Sequence, residues 1–345
     1  MRSKNIETFV VWILVLGLLV ACSVIPSATD TDVTTKTPES SPTIIASAVT
    51  TPVPIIKTEI PSPTVTEALP TKTGLVEPPS TPTPTSTPTR TPLPPDGWMS
   101  LPVIPSISNT ARMIYKIGLE LGNNPKAFSK IGDCGSTPTW FLGDFDAGPE
   151  YFRLGDYQYL ADVILQFQGS FGRMSIASRP GFSSSSALSL LWADPKKCQS
   201  GETPLTCEYR INHPIMAFIM LGSNDVWHQE TFELNMRKIL DYSIENGILP
   251  ILSTKADNEE KNNNINALIA QLAWEYDIPL WNFWLAVQPL ENHGLQDDLL
   301  HLTWGPNTFD VPAVMKRAWP IRNLTALQTL DAAWRALENL PSVQY

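Results

Sequence analysis

The feature that most limits how this chain can fold is a long stretch rich in proline, threonine and serine. Of the 32 prolines in its 345 residues, 16 lie between positions 23 and 95. Proline removes backbone donors, and few apolar residues are spaced to form a face, so no packed core is expected here. We interpret residues 23–95 as a semi-extended, disordered linker. Residues 96–345 remain for folding, enough for one large α/β domain and short for two.

The N-terminus has the pattern of an export signal. Arg2 and Lys4 precede an apolar run over residues 9–20, and Cys22 follows directly after an alanine. The pattern predicts a signal peptide, and Cys22 resembles the lipobox cysteine of bacterial lipoproteins, which is acylated. The alternative is an uncleaved membrane anchor, for which the run is short against about 20 residues. We therefore assign residues 1–22 to a signal peptide and lipobox, with the domain lipid-anchored to the outer face of the bacterial cell membrane.

Three cysteines remain if Cys22 carries lipid. Cys198 and Cys207 lie nine positions apart across a turn-forming segment. In an exported protein this spacing favours a local disulfide, and two separate thiols are the alternative. Cys134 then requires an explanation of its own.

Residues 96–345 alternate between strand-like apolar runs and helical patterns. Five strands are predicted, at residues 128–131, 170–177, 215–221, 248–253 and 278–283. Helical spacing of apolar residues predicts helices at 231–245 and 262–276. The alternation predicts an α/β fold, a three-layer α/β/α sandwich on a parallel sheet of about five strands. In such sheets the chemistry lies at the carboxyl ends of the strands.

Reactive side chains stand where that rule places them. Residues 132–134, Gly-Asp-Cys, follow the first predicted strand, and residues 222–225, Gly-Ser-Asn-Asp, follow the third. Asp298 and His301 come late in the chain, three positions apart. Together with Gly181 after the second strand, they resemble in order and spacing the four sequence blocks of the SGNH/GDSL hydrolases. Each block alone is short and weak, whereas their ordered appearance is a stronger signal.

The resemblance covers nearly all of residues 125–305. It implies a flavodoxin-like fold and hydrolysis of an acyl ester through a covalent intermediate. In the family pattern, His301 removes a proton from the nucleophile and Asp298 orients the histidine. The side-chain amide of Asn224, the N–H of Gly181 and the N–H of the nucleophile would form the oxyanion hole. No metal or cofactor is required.

The chain departs from the family at the nucleophile, where Cys134 replaces serine. Three interpretations stay open. Cys134 is a thiol nucleophile, favoured as thiolate by His301 and by the N-terminus of the following helix. Alternatively, the larger sulfur atom has disarmed the site, or Cys134 is a small buried residue. Ser136 is expected to point in another direction.

The combination favours an active hydrolase, because Asp298, His301 and Asn224 are costly polar groups to bring together without a use. The expected substrate is a small acyl ester, with acetyl groups on polysaccharide as the first class to try by family analogy. One alternative is a catalytically inactive module that binds a surface glycan in the same crevice. Another is a thiol that captures acyl groups or takes part in redox chemistry.

Composition bears on the partners. A formal net charge of −10 argues against nucleic acid, because binding phosphates needs a basic surface. Trp140, Trp227 and Trp304 lie near predicted strand ends, where they could stack on sugar rings. The more common role of tryptophan is to fill the core and the walls of a crevice.

Overall fold

A parallel β-sheet organises the part of the chain that the structure describes. The computed structural model describes residue 91 and residues 93–345, so the predicted signal peptide, Cys22 and most of the linker lie outside the described residues. The strands are β1 (Asn124–Gly132), β2 (Phe152–Arg153), β3 (Pro214–Met220), β4 (Leu249–Ser253), β5 (Leu280–Trp281) and β6 (Asn307–Thr308). β1, β3, β4 and β5 form one parallel sheet in that order, and β2 pairs with β6.

Helices connect the strands. They are α1 (Asn109–Glu120), α2 (Asp144–Ala147), α3 (Ala161–Gln166), α4 (Ser184–Ala187), α5 (Pro204–Asn212), α6 (Gln229–Glu245), α7 (Asn264–Tyr276), α8 (Phe283–Val287) and α9 (Ala318–Leu337). Thr203 and Thr206 form a reciprocal capping box at the start of α5, where Pro204 needs no backbone donor. Within the described residues, none of the helices has the length and apolar character needed to cross a bilayer.

Both faces of the sheet are covered. Every residue of β3 and β4 is buried. Because successive residues of a strand face opposite sides, burial of all of them requires packing on each side. α1 packs against β3 and β4, α6 and α7 pack against β4, and α5 packs against β1. The predicted α/β class with a parallel sheet is confirmed, with four strands rather than about five.

Most predicted elements are present. The strands predicted at 215–221 and 248–253 correspond to β3 and β4 within one residue, and the two predicted helices correspond to α6 and α7 within two. β1 is longer than predicted, and β5 keeps two residues of the six predicted at 278–283.

The strand predicted at residues 170–177 is wrong. Side chains, and not a neighbouring strand, form hydrogen bonds with the backbone of β1 at this edge. The N–H of Phe128 donates to Ser170 Oγ at 3.2 Å, and Arg173 donates to the Phe128 carbonyl at 2.7 Å. A single parallel bridge between Ser178 and Gly132 is all that pairs there. The sequence pattern of this segment reflects burial without strand geometry.

That bridge still fixes the topology. The chain leaves β1, returns beside it at Ser178 on one side, and then forms β3 on the other side. The order of connection therefore reverses at β1. In open α/β sheets, ligands bind outside the carboxyl ends of the strands at such a switch point. Cys134 lies there.

Candidate functional site

The end of β1 turns sharply into the segment that carries Cys134. Asp133 and the 3-10 turn Cys134–Ser136 form this turn, which we call the elbow. The Asp133 carboxylate accepts a hydrogen bond from the Gly135 N–H at 2.9 Å. A Cβ on Gly132 would lie 2.2 Å from Ser136 Oγ and 2.6 Å from a backbone oxygen, so only glycine permits this packing.

Cys134 and Ser136 have different environments within the elbow. Cys134 is partly exposed, whereas Ser136 is fully buried against Gly132 and cannot meet a substrate. The expected helix after Cys134 is wrong, because a three-residue 3-10 turn follows instead. So short a turn supplies little helix dipole. Any stabilisation of a thiolate must come mainly from side chains.

The second element of the site is a carboxylate–histidine pair. Nδ1 of His301 lies 2.6 Å from Oδ2 of Asp298, and the His301 and Leu300 N–H groups donate to Oδ1 at 2.9 and 3.0 Å. Partial burial alone would raise the pKa of Asp298, but the hydrogen bonds from His301 and Leu300 lower it overall. Asp298 is therefore held as a carboxylate that can orient the imidazole.

The other histidines lack this arrangement. Three of them are exposed to solvent: His213, His228 and His293. His228 comes no closer than 3.7 Å to the carboxylate of Glu230, with both side chains well exposed. His301 alone among the four has a carboxylate within close hydrogen-bond distance in the described structure.

Gly181 and Asn224 belong to two loops that contact each other. The side-chain amide of Asn224 donates to the carbonyl of Phe182 at 3.1 Å. Its second amide hydrogen is left for another acceptor. Gly181 has φ +75°, a conformation that favours glycine, and the space beyond it is open. The two predicted oxyanion donors thus lie on adjacent loops.

Asp225 joins the same two loops, which sequence analysis did not anticipate. Its buried carboxylate accepts hydrogen bonds from the Ser184 N–H at 2.9 Å and from the Ser184 hydroxyl at 2.5 Å. Burial raises the pKa of Asp225, and the hydrogen bonds from Ser184 oppose that effect. The signal was available, since Asp225 directly follows Asn224, but its partner could not be identified without the fold.

A buried ionic cluster lies beneath the Asn224 loop. Ser223 donates to Asp257 at 2.6 Å, and Lys255 Nζ contacts Asp257 at 2.7 Å and Glu260 at 2.6 Å. The three charged side chains are at most 8% exposed. Since breaking a buried pair leaves an uncompensated charge, this cluster holds the end of β3 firmly in place.

Trp319 connects the histidine loop to the elbow. The backbone N–H of Trp319 donates to the carbonyl of Thr303, two residues after His301, at 3.1 Å. Its ring reaches within 3.6 Å of the position that a Cβ on Gly135 would occupy. The ring also stacks on Trp140 with centroids 5.5 Å apart. Both loops therefore rest on the start of α9.

A cavity of about 390 Å³ opens beside the elbow. Its lining includes Thr137, residues 178–180 from the loop that leads to Gly181, and residues 193–195 with Lys197. Arg179 is held there between the rings of Phe182 and Trp192, at 5.6 Å from each centroid. The cavity therefore adjoins both the elbow and the loop that carries Gly181.

Cys198 and Cys207 form the predicted disulfide. With Glu202 they also make the one cluster of metal-type ligands found within the described residues, their ligand atoms lying within 4.8 Å of one another. Both sulfurs are engaged in the disulfide, so the cluster offers no thiolate in this state. The disulfide closes the loop of residues 198–207, which follows Lys197 in the cavity wall.

The site has a definite arrangement. An elbow carries Cys134 at the switch point, a carboxylate orients His301, and Asn224 lies against the Gly181 loop. In fold and in the order of its site residues, the chain resembles the SGNH/GDSL hydrolases. Cys134 and Asn224 follow the ends of β1 and β3, as in the SGNH/GDSL pattern. The chain departs from the pattern at Cys134, which replaces serine, and around Gly181, where residues 178–183 replace the asparagine-containing surroundings of the family.

Comparison with known proteins gives matches in structure. No protein-family model and no curated protein matches the chain. A lipolytic G-D-S-L family protein from Desulfitobacterium hafniense is 14% identical, with 59% of this chain and 99% of that chain covered and a TM-score of 0.36. A GDSL-like lipase from Bacteroides thetaiotaomicron is 17% identical, with 65% and 99% covered and a TM-score of 0.37. A protein described as an acylhydrolase from Bacteroides fragilis is 16% identical, with 64% and 95% covered and a TM-score of 0.38.

Proposed function

We propose that this protein is an SGNH-type hydrolase that cleaves a small acyl ester at the cell surface, with Cys134 as nucleophile. The observation that carries the proposal is the Asp298–His301 pair, in which a carboxylate fixes both the ring and the backbone of a histidine. A histidine held in this way is suited to accept and return a proton. Export and a lipid anchor on Cys22 are part of the proposal and rest on the N-terminal sequence.

The proposed chemistry is acyl transfer to water. The Cys134 proton passes to His301, the sulfur attacks the carbonyl carbon, and a C–S bond forms. The bond to the alcohol oxygen breaks, and His301 returns the proton to the departing alcohol. Water, deprotonated by His301, then attacks the thioester and releases the acid and the thiol. Asn224, Gly181 and the Cys134 N–H would donate to the oxyanion in both steps.

Acetyl esters of a polysaccharide are the proposed substrate class. A small acyl group fits a reacting centre bounded by short loops, while the cavity beside Arg179 accepts the larger remainder. Trp227 and Trp304 expose 79% and 64% of their surface on the loops that follow Asn224 and His301. Exposed indole rings are suited to stacking on the apolar faces of sugars.

Hydrolysis of an aryl acetate by the full chain, beside Cys134→Ala and Cys134→Ser, tests the proposal. Turnover that is lost in Cys134→Ala supports a thiol nucleophile. Activity that appears only in Cys134→Ser shows a hydrolase disarmed by sulfur and refutes the nucleophile assignment. Equal turnover in the native chain and Cys134→Ala would place the chemistry elsewhere.

The exposed tryptophans favour one alternative, a catalytically inactive module that binds a surface glycan. This function requires Trp227 and Trp304 and does not require Cys134 or His301. Binding of a polysaccharide that survives Cys134→Ala and His301→Ala, without turnover in the native chain, would support it. Turnover by the native chain separates the two functions, because only the hydrolase has it.

A further inference from the structure

A partly buried arginine lies against the elbow. Arg322 projects from α9, and its Nη1 atom would be 3.0 Å from a Cβ on Gly135. Its Nη2 atom lies 3.4 Å from the sulfur of Met220, at the end of β3. The guanidinium carbon lies 5.2–5.4 Å from the centroids of three rings, those of Phe141, Phe283 and Trp319. Aromatic side chains thus hold a cation against the elbow.

The hydrogen bonding of this guanidinium is incomplete. Its Nε atom is buried and has no hydrogen-bond partner in the part of the chain that the structure describes. Among residues 93–345, no carboxylate lies within 4.0 Å of the Arg322 guanidinium as an ion-pair partner. Leaving a buried donor unsatisfied destabilises the folded state. Such a group persists when it serves the site around it.

The charge of Arg322 acts on the elbow. Burial lowers the pKa of Arg322 to about 10, and the negative charges of Asp133, Cys134 and Asp257 oppose that decrease. The side chain therefore stays cationic at neutral pH. Opposite charges stabilise each other, and they do so more strongly out of water.

Acidic groups face the elbow from several elements. Asp133 precedes Cys134, Asp257 follows β4, and Asp225 follows β3. Each of these carboxylates disfavours a negative charge on the Cys134 sulfur, because like charges repel. Arg322 faces them from α9, while the 3-10 turn after Cys134 is too short to supply a useful dipole. Lys255, which contacts Asp257 at 2.7 Å, and His301, paired with Asp298, are the other groups at the site that can carry positive charge.

We propose that Arg322 is a positioning residue that supports the elbow from below and holds Cys134 as a reactive thiolate. The inference rests on the proposed role of Cys134 as nucleophile. It assigns to one side chain both the packing of Gly135 and the electrostatic balance of the site. It also explains how a cysteine functions on an elbow with three nearby carboxylates.

The test is the pH dependence of alkylation of Cys134 by iodoacetamide in the full chain, followed on the Cys134 peptide by mass spectrometry. We expect Arg322→Met to raise the midpoint of the profile by about one pH unit or more. Below both midpoints, a rise of one unit slows alkylation about threefold to fourfold, because the greater nucleophilicity of a more basic sulfur partly offsets the lost thiolate. Arg322→Lys keeps a positive charge wherever the lysine stays protonated, so its midpoint should lie closer to the native value than that of Arg322→Met.

Arg335→Met is the matched control, since Arg335 is another largely buried arginine of α9, paired with Asp331. It should leave the midpoint unchanged. If Arg322→Met does not fold, Arg322→Gln decides, because it removes the charge and keeps a polar side chain at the same position. An unchanged midpoint in folded Arg322→Met, or in Arg322→Gln where that variant decides, would overturn the inference. Since alkylation needs no turnover, a missing esterase activity would refute the proposed function and leave this result readable.

Discussion

Asp298 fixes His301 at two points, its Oδ2 lying 2.6 Å from the ring Nδ1 and its Oδ1 accepting the His301 N–H at 2.9 Å. With Nδ1 donating to the carboxylate, Nε2 is the nitrogen that can accept a proton. Leu299, between the two residues, has φ +57°, so the turn that allows both contacts is strained for a leucine. A local conformation of this kind is common at functional sites.

Replacing Asp298 by asparagine should remove the carboxylate that fixes the orientation and tautomer of His301. The amide cannot stabilise an imidazolium and allows the wrong tautomer, so we expect kcat for an aryl acetate to fall about 10²–10⁴-fold with little change in KM. Steady-state kinetics measure the effect. Asp297→Asn, at the exposed neighbouring position, is the control and should keep native kcat. A kcat within twofold of native in Asp298→Asn would contradict the role of the pair.

Lys130, buried in the central part of β1, should make stability depend on pH. Burial is the main cause that lowers its pKa from 10.5 to about 7, with a smaller contribution from Arg173. Below pH 7 the lysine is charged in both states, and the full penalty of burying the charge is present. Between pH 7 and 10.5 the unfolded chain binds a proton that the folded chain does not, so this residue makes stability rise with pH.

Lys130→Met removes that dependence. We expect the free energy of unfolding of Lys130→Met to exceed that of the native chain by the largest amount near pH 6.5. The advantage should shrink towards pH 10 by up to about 4 kcal/mol, at about 1.4 kcal/mol per pH unit. Urea unfolding at a series of pH values measures the difference. Because other titrating groups are common to both proteins, a difference that stays constant with pH would refute the assignment.

The disulfide should stabilise the loop beside the cavity. Cys198 and Cys207 close a loop with a separation of nine residues. The chain-entropy relation gives about 2–3 kcal/mol for a loop of this size. We expect the double alanine variant to lose that much in free energy of unfolding, and a reducing agent to destabilise the native chain but not the variant. Equal stability of the oxidised chain and the variant would show that the bond contributes nothing.

The exposed tryptophans should matter only for a polymeric substrate. Trp227→Ala and Trp304→Ala are expected to raise KM for an acetylated polysaccharide about 2–10-fold each, as loss of a stacking contact does, and to leave aryl acetate kinetics unchanged. Tyr151→Ala is the control, an aromatic side chain that is 52% exposed and outside both loops. Equal effects on the two substrates would mean that the rings shape the reacting centre itself.

The sequence alone predicted the class of fold, and it placed Cys134 and Asn224 after strands that the structure contains. β3 and β4 were predictable because strands buried on both faces are continuously apolar, as at residues 215–221. The segment 170–177 was not, because Ser170 and Arg173 pair with the backbone of Phe128 through side chains. A local sequence pattern cannot show a hydrogen-bond partner that lies about 40 positions away in the chain.

The supporting residues of the site were hidden for the same reason. Arg322 is 188 positions from Cys134 and has no local motif, and Ser184 lies in an ordinary run of serines. Their contacts with the elbow and with Asp225 exist only in the folded chain. A motif therefore predicts candidate reactive side chains, whereas the groups that orient them require the structure.

The most direct test of the account is to look for an acyl group on Cys134. The full chain is mixed with an aryl acetate, quenched in acid within a turnover, and digested for mass spectrometry. We predict acetyl on the Cys134 peptide of the native chain, none in Cys134→Ala, and little in His301→Ala, whose thiol lacks its proton acceptor. Turnover without acetyl on Cys134, or acetylation of Cys134 at the same rate in His301→Ala, would contradict the central claim that Cys134 and His301 act together.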